Sequence, residues 1–237
     1  MFFVSFAIVL VVLAALAFGA GLLFTRFQAV TRKRQLDDAL SEARRWVERL
    51  AGQVMHLIGT NTAAKQALAD ASERYTAAGS QLDLARTVEQ AGLAKETALE
   101  GLYYIRAARV AMALDPGPAL PADAERARAG AVTEHRKVEV EGETYEVSPR
   151  PGHDTPHYYP GGQVAGRPVP EGWYNRPWWK QALIGGAWGA GAAVLFGSLF
   201  VGMAGVAAAQ TWQDGFEAGG QDVFAPDEVG FDEGWDF

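Results

Sequence analysis

Four histidines stand at positions 56, 135, 153 and 157, and only the last two, with Asp154 between them, have the spacing of a ligand cluster. In His153-Asp154-Thr155-Pro156-His157 the two imidazoles stand four apart and would ligate a metal if a helix aligned them. Pro156 prevents that helix, so the segment reads as a solvated loop. Glu96, Glu100, Arg106 and Arg109, near Tyr103 and Tyr104, would line a polar groove if they converged. Charges at helical spacing more commonly form a solvated face. His56 lies beside an apolar stripe and reads as a helix-surface or partly buried residue. No glycine-rich phosphate loop follows a strand, and no serine, histidine and acid arrangement is recognisable. No catalytic, cofactor-binding or metal-ligating residue is nominated, and no cofactor is expected.

Composition narrows the classes further. The chain has no cysteine, which removes disulfides, thiolate nucleophiles and cysteine-ligated metal centres. Its formal charge of -7 is unevenly placed. Asp214 to Phe237 carries eight acids and no Lys or Arg, so the rest sums to about +1. Basic residues there are interspersed with acids, and nucleic-acid binding is not expected.

Two long uncharged runs dominate the elements that would hold these residues. Residues 1–25 contain fifteen Leu, Ile, Phe and Val in the stretch Phe2 to Phe24, enough to insert into a hydrocarbon layer of about 30 Å. A cleaved signal peptide is disfavoured, because no Lys or Arg precedes the run and the run is too long. Residues 181–210 are uncharged but diluted by glycine, and Gly185, Gly189, Ala193 and Gly197 recur every four positions as a ridge suited to close helix packing. Arg26, Arg32, Lys33 and Arg34 follow the first run, and Arg167, Arg176 and Lys180 precede the second. The positive-inside bias then predicts a multi-pass plasma-membrane protein with N- and C-termini outside and the central region cytoplasmic. Trp173, Tyr174, Trp178 and Trp179 read as an aromatic belt at the membrane interface.

Between the runs, residues 26–115 predict a helical body. Leu36, Leu40, Ala43, Val47, Leu50, Val54 and Leu57 alternate steps of four and three, the seam of a coiled coil or bundle. Gly59, Thr60 and Asn61 supply a stop and an N-cap, after which Ala64, Leu68, Ala71, Tyr75, Ala78 and Leu82 repeat the spacing. A third helix, broken from the second at Gly79-Ser80 or between Arg86 and Gly92, ends at Asp115-Pro116-Gly117-Pro118. In residues 116–147, Val138 and Val140 against Tyr145 and Val147, around Glu141-Gly142-Glu143, predict a small β-hairpin. Residues 148–180, rich in Pro, Gly and aromatics, read as ordered irregular chain. In the tail, residues 211–237, acids alternate with Phe216, Phe224, Phe231, Trp235 and Phe237, which reads as a partner-binding segment. The fold class expected is mainly α, two transmembrane helices flanking a three-helix, coiled-coil-like bundle with a small hairpin.

The run Glu42-Ala43-Arg44-Arg45-Trp46-Val47-Glu48-Arg49-Leu50, with Ala67 to Tyr75, Glu100-Gly101-Leu102-Tyr103-Tyr104, Asp115-Pro116-Gly117-Pro118, Tyr159-Pro160-Gly161-Gly162 and Gly172-Trp173-Tyr174, resembles an uncharacterised actinobacterial two-span membrane protein family. The resemblance covers most of the chain after the first run. It implies a helical body and a Gly, Asp and aromatic-rich tail, and it brings no activity, cofactor or catalytic residue. The function expected is a non-enzymatic integral membrane scaffold or assembly factor, its partners the lipid bilayer and either a second copy or another membrane protein. Alternatives are a membrane-bound enzyme or enzyme subunit using His153, Asp154 and His157, and an export-side adaptor acting through the tail.

Overall fold

A computed structural model describes residues 2–121, 123–180, 192–203 and 206, with the backbone alone for 2–27, 29, 192 and 193. It contains helices α1 (Phe2–His56), α2 (Thr62–Leu84), α3 (Val88–Ala111), α4 (Ala124–Ala129) and α5 (Ala192–Phe200). Its strands are β1 (Arg136–Val140), β2 (Glu143–Ser148), β3 (His157–Tyr159), β4 (Gly162–Val164), β5 (Arg167–Val169) and β6 (Gly172–Tyr174). The chain divides into two compact units, Met1–Leu57 with Asp70–Leu102, and Ile58–Ala69 with Tyr103–Phe237.

The first unit is helical because its apolar residues recur with helical period. Ala43, Val47 and Leu50 of α1 are buried, as are Ala71 and Ala78 of α2 and Ala91, Ala94, Ala98 and Leu102 of α3. The small side chains let the helices approach closely. A Cβ at Gly101 would collide with the Leu50 side chain and lie 3.1 Å from the Arg74 Cβ. Lys95 Nζ bonds Glu42 at 2.8 Å, tying α3 to α1, and Arg74 lies 3.6 Å from Glu100. α2 runs unbroken through Gly79 and Ser80 and stops at Leu84. Thr87 caps α3, its Oγ1 accepting the Gln90 N–H, while Gln90 Oε1 accepts the Arg86 N–H at 2.7 Å, in the manner of a capping box.

In the second unit the hairpin β1-β2 begins a four-stranded antiparallel sheet ordered β1-β2-β6-β3, and β4 and β5 form a separate pair. Both tight hairpins use two residues with positive φ, Glu141 (53°) with Gly142 (78°) and Ala165 (46°) with Gly166 (78°), as type I′ turns require. α5 packs on β1 and β2. Its Phe196 and Phe200 form one apolar core with Val147, Tyr159, Tyr174 and Trp179.

These elements correct the expected fold class. Among the described residues no helix is long and apolar enough to cross a membrane, so neither the two transmembrane helices nor the multi-pass plasma-membrane placement with outside termini is retained. The first uncharged run is the start of a single 55-residue helix that continues through Arg26, Arg32, Lys33 and Arg34 into the charged stripe beyond. Of the second run, the described helix has 9 residues. In α5, Leu195, Phe196, Leu199 and Phe200 are buried in the core of the second unit. Among the described residues no coiled coil is present either. The central residues of the α1 seam pack among Ala and Gly in a short bundle, and its ends at Leu36, Leu40, Val54 and Leu57 are only half-buried. The Pro- and Gly-rich stretch 148–180 is not irregular chain but the source of β3 to β6. Strands of three residues are too short to show a period in sequence.

Candidate functional site

The second unit contains a cleft of about 380 Å³. One wall is a single face of α3, since Tyr103, Arg106, Ala107 and Val110 fall at steps of three and four and so align along the helix. The opposite wall is Tyr158 of β3, Gly172 and Trp173 of β6, Glu171 and the segment Ala131-Val132, with Pro116 and Pro149 at the rim. Backbone hydrogen bonds lock that segment to the strand, Val132 N–H to the Glu171 carbonyl at 2.7 Å and Glu171 N–H to the Gly130 carbonyl at 2.9 Å. The approach requires glycine at 172, where a Cβ would lie 2.6 Å from Val132 Cγ2.

Three polar groups that line the cleft, Tyr158, Glu171 and Arg106, give it its chemistry. The Tyr158 hydroxyl, almost wholly buried, donates to Glu171 Oε1 at 2.6 Å. Burial, and then the negative charge of Glu171, hold the phenol well above its usual value of 10, so it remains a donor at neutral pH. Its ring is packed by Tyr104 at 6.0 Å, edge-on, and by Trp173 at 5.1 Å. Arg106 Nη1 donates to the Gly117 carbonyl at 2.8 Å and the Pro118 carbonyl at 2.6 Å, which fixes the guanidinium in the wall. Arg126 lies 4.5 Å from the centre of the Tyr103 ring, and its Nε bonds Asp123 at 3.1 Å. Burial opposes ionisation of Asp123, but hydrogen bonds from the Arg126 and Glu125 backbone amides outweigh it and lower its pKa. Asp123 thereby caps α4.

A smaller cavity of about 270 Å³ is lined by Asn61, Thr62, Ala63, Ala111 and the Pro151-Gly152-His153 segment. Asn61 closes two helix ends at once: its Oδ1 accepts the Ala64 N–H of α2 at 2.8 Å, and its Nδ2 donates to the Ala111 carbonyl of α3 at 2.6 Å. His153 touches Asp154 at 3.2 Å with side chains 91% and 79% exposed, so nothing desolvates the pair. His157 lies on β3, within the sheet. Among the described residues no group of three or more His, Asp or Glu is placed to hold a metal.

The remaining sequence candidates are dispersed. Glu100 pairs with Arg74 in the helical unit, while Arg109 Nε donates to the Asp115 carbonyl at 2.5 Å. Trp173, Tyr174 and Trp179 are buried and Trp178 is half-buried; the last three share ring contacts at 5.0 to 5.7 Å inside the core, not in an outward belt. Gly185 and Gly189 lie outside the described residues, as does the side chain of Ala193, and among the described residues nothing lies within 4 Å of a Cβ built at Gly197. Phe216, Phe224, Phe231, Trp235 and Phe237 also lie outside them. Sequence reasoning missed Glu171 and Tyr158, whose only signal was turn chemistry at Gly161-Gly162 and Ala165-Gly166. No protein-family model, curated protein or solved structure matches the chain.

Proposed function

We propose that this chain is a non-enzymatic scaffold or assembly factor, acting by packing a helical surface against a partner protein or a second copy. The observation that carries the reading is at the α2-α3 connection, where Leu84, Val88 and Leu93 are 73%, 42% and 56% exposed within one short stretch of the helical unit. Exposed apolar side chains that join into one contiguous patch mark an association surface. The roles of the strong polar side chains agree with a framework. Arg106, Arg109 and Arg126 bind backbone carbonyls, and Asn175 spans the Glu146 N–H and the Thr144 carbonyl. Each holds a loop in place.

A photo-crosslinking residue at Val88, introduced in the native host, should yield a discrete adduct with one partner or with a second copy. The same residue at exposed Lys65 should not, and Leu84→Asp should abolish the adduct while the purified variant keeps its helix content. Monomer alone at both positions would defeat the reading. So would stoichiometric metal in the purified chain that disappears on His153→Ala and His157→Ala, which would favour an enzyme.

A further inference from the structure

The cleft on the second unit holds two opposite charges that do not neutralise each other. Arg106 and Glu171 both line it, yet no ion pair joins them. Each is anchored by a hydrogen bond that leaves part of its capacity open. The guanidinium uses Nη1 on two carbonyls, and its Nε and Nη2 donors have no partner among the described residues. The carboxylate uses Oε1 on the Tyr158 hydroxyl, and Oε2 likewise has none. Both groups are therefore pre-positioned, and a ligand would not need to order them. The surface between them is apolar and aromatic, with Trp173 and Tyr103 on facing walls and Val110 on the helix side. The volume of about 380 Å³ falls in the range of small-molecule sites.

A simple anion would satisfy the arginine and be repelled by the glutamate, and a simple cation would meet the reverse. An ion carrying both charges on an apolar body matches all three features. We propose that this cleft binds a zwitterionic amino acid or short peptide, with its carboxylate on Arg106, its ammonium on Glu171 and a large apolar side chain against Trp173 and Tyr103. The inference is independent of the scaffold reading, whose surface lies on other residues.

Titration calorimetry of the full chain with L-phenylalanine and with glycyl-L-phenylalanine tests it and separates free amino acid from peptide. Saturable binding is expected for at least one. N-acetylation or carboxyl amidation of that ligand should weaken binding by about tenfold or more, as loss of a charged hydrogen bond does. Glu171→Gln should weaken the free ligand by a similar factor and leave the N-acetyl form unchanged. Because Arg106 also holds a turn, the second variant is Val110→Trp, which fills the cleft from an exposed position and should abolish binding without altering the circular dichroism. Absence of heat with both ligands, equal binding of the blocked forms, or undiminished binding by Val110→Trp would each overturn the proposal.

Discussion

Asn61 illustrates how much one side chain does in this chain. Its amide serves the first turn of α2 and the last carbonyl of α3, that of Ala111, together, so Asn61→Ala removes a cap and strands a carbonyl. The expected cost is about 1 to 2 kcal/mol, read as a lower midpoint in chemical denaturation. Asn61→Asp, which keeps the acceptor and loses the donor, should recover part of it. Tyr158→Phe removes a hydroxyl held at 2.6 Å from the Glu171 carboxylate, and a hydrogen bond to a charged group of this kind contributes roughly 1.5 to 3 kcal/mol. Tyr158→Phe with Glu171→Gln should cost less than the two single changes added, because the same bond is lost in each.

Among the elements, close packing and turn chemistry make opposite predictions for small substitutions. Gly101→Ala drives a methyl into the Leu50 side chain at the meeting of α1 and α3. Although alanine is the better helix former, overpacking should win and destabilise by about 1 to 3 kcal/mol, visible as a lower melting temperature of the helical signal. Ala165 is the reverse case. Its φ of 46° places a Cβ where the left-handed conformation penalises one, so Ala165→Gly should stabilise the β4-β5 hairpin by about 1 kcal/mol. An unchanged or lower midpoint would show that the turn is not type I′ in solution.

Across the whole molecule, the ionisable groups set a stability window in pH. Burial, followed by the charge of Glu171 for Tyr158 and the proximity of Tyr159 for Tyr174, raises both phenols well above 10. A folded pKa raised above the unfolded one gives stability that is complete below about pH 10 and is lost as pH rises past it. Alkaline unfolding should therefore coincide with the appearance of tyrosinate absorbance. At the acid end, hydrogen bonding and the charge of Lys95 lower Glu42, and the α4 amides lower Asp123 against its burial. Their contributions are present above the ordinary carboxylate range and are lost as pH falls through it, with the effect of exposed Glu42 screened by solvent. The helical period of α1, α2 and α3, the cap at Asn61 and the Glu141-Gly142 turn were legible in sequence, because each is a local rule about neighbouring residues. Uncharged length and hydropathy also suggested membrane rods, but they do not say what an apolar face will meet. Only the tertiary structure put Phe196 and Phe200 against β1 and β2, drew Trp173, Tyr174 and Trp179 into a core, and assembled three-residue strands from a Pro- and Gly-rich stretch. The cleft was hidden for the same reason: Arg106 and Glu171 are sixty-five positions apart along the chain, and bringing residues to one cleft across such separation is decided by the energy of the whole packed unit rather than by any local pattern.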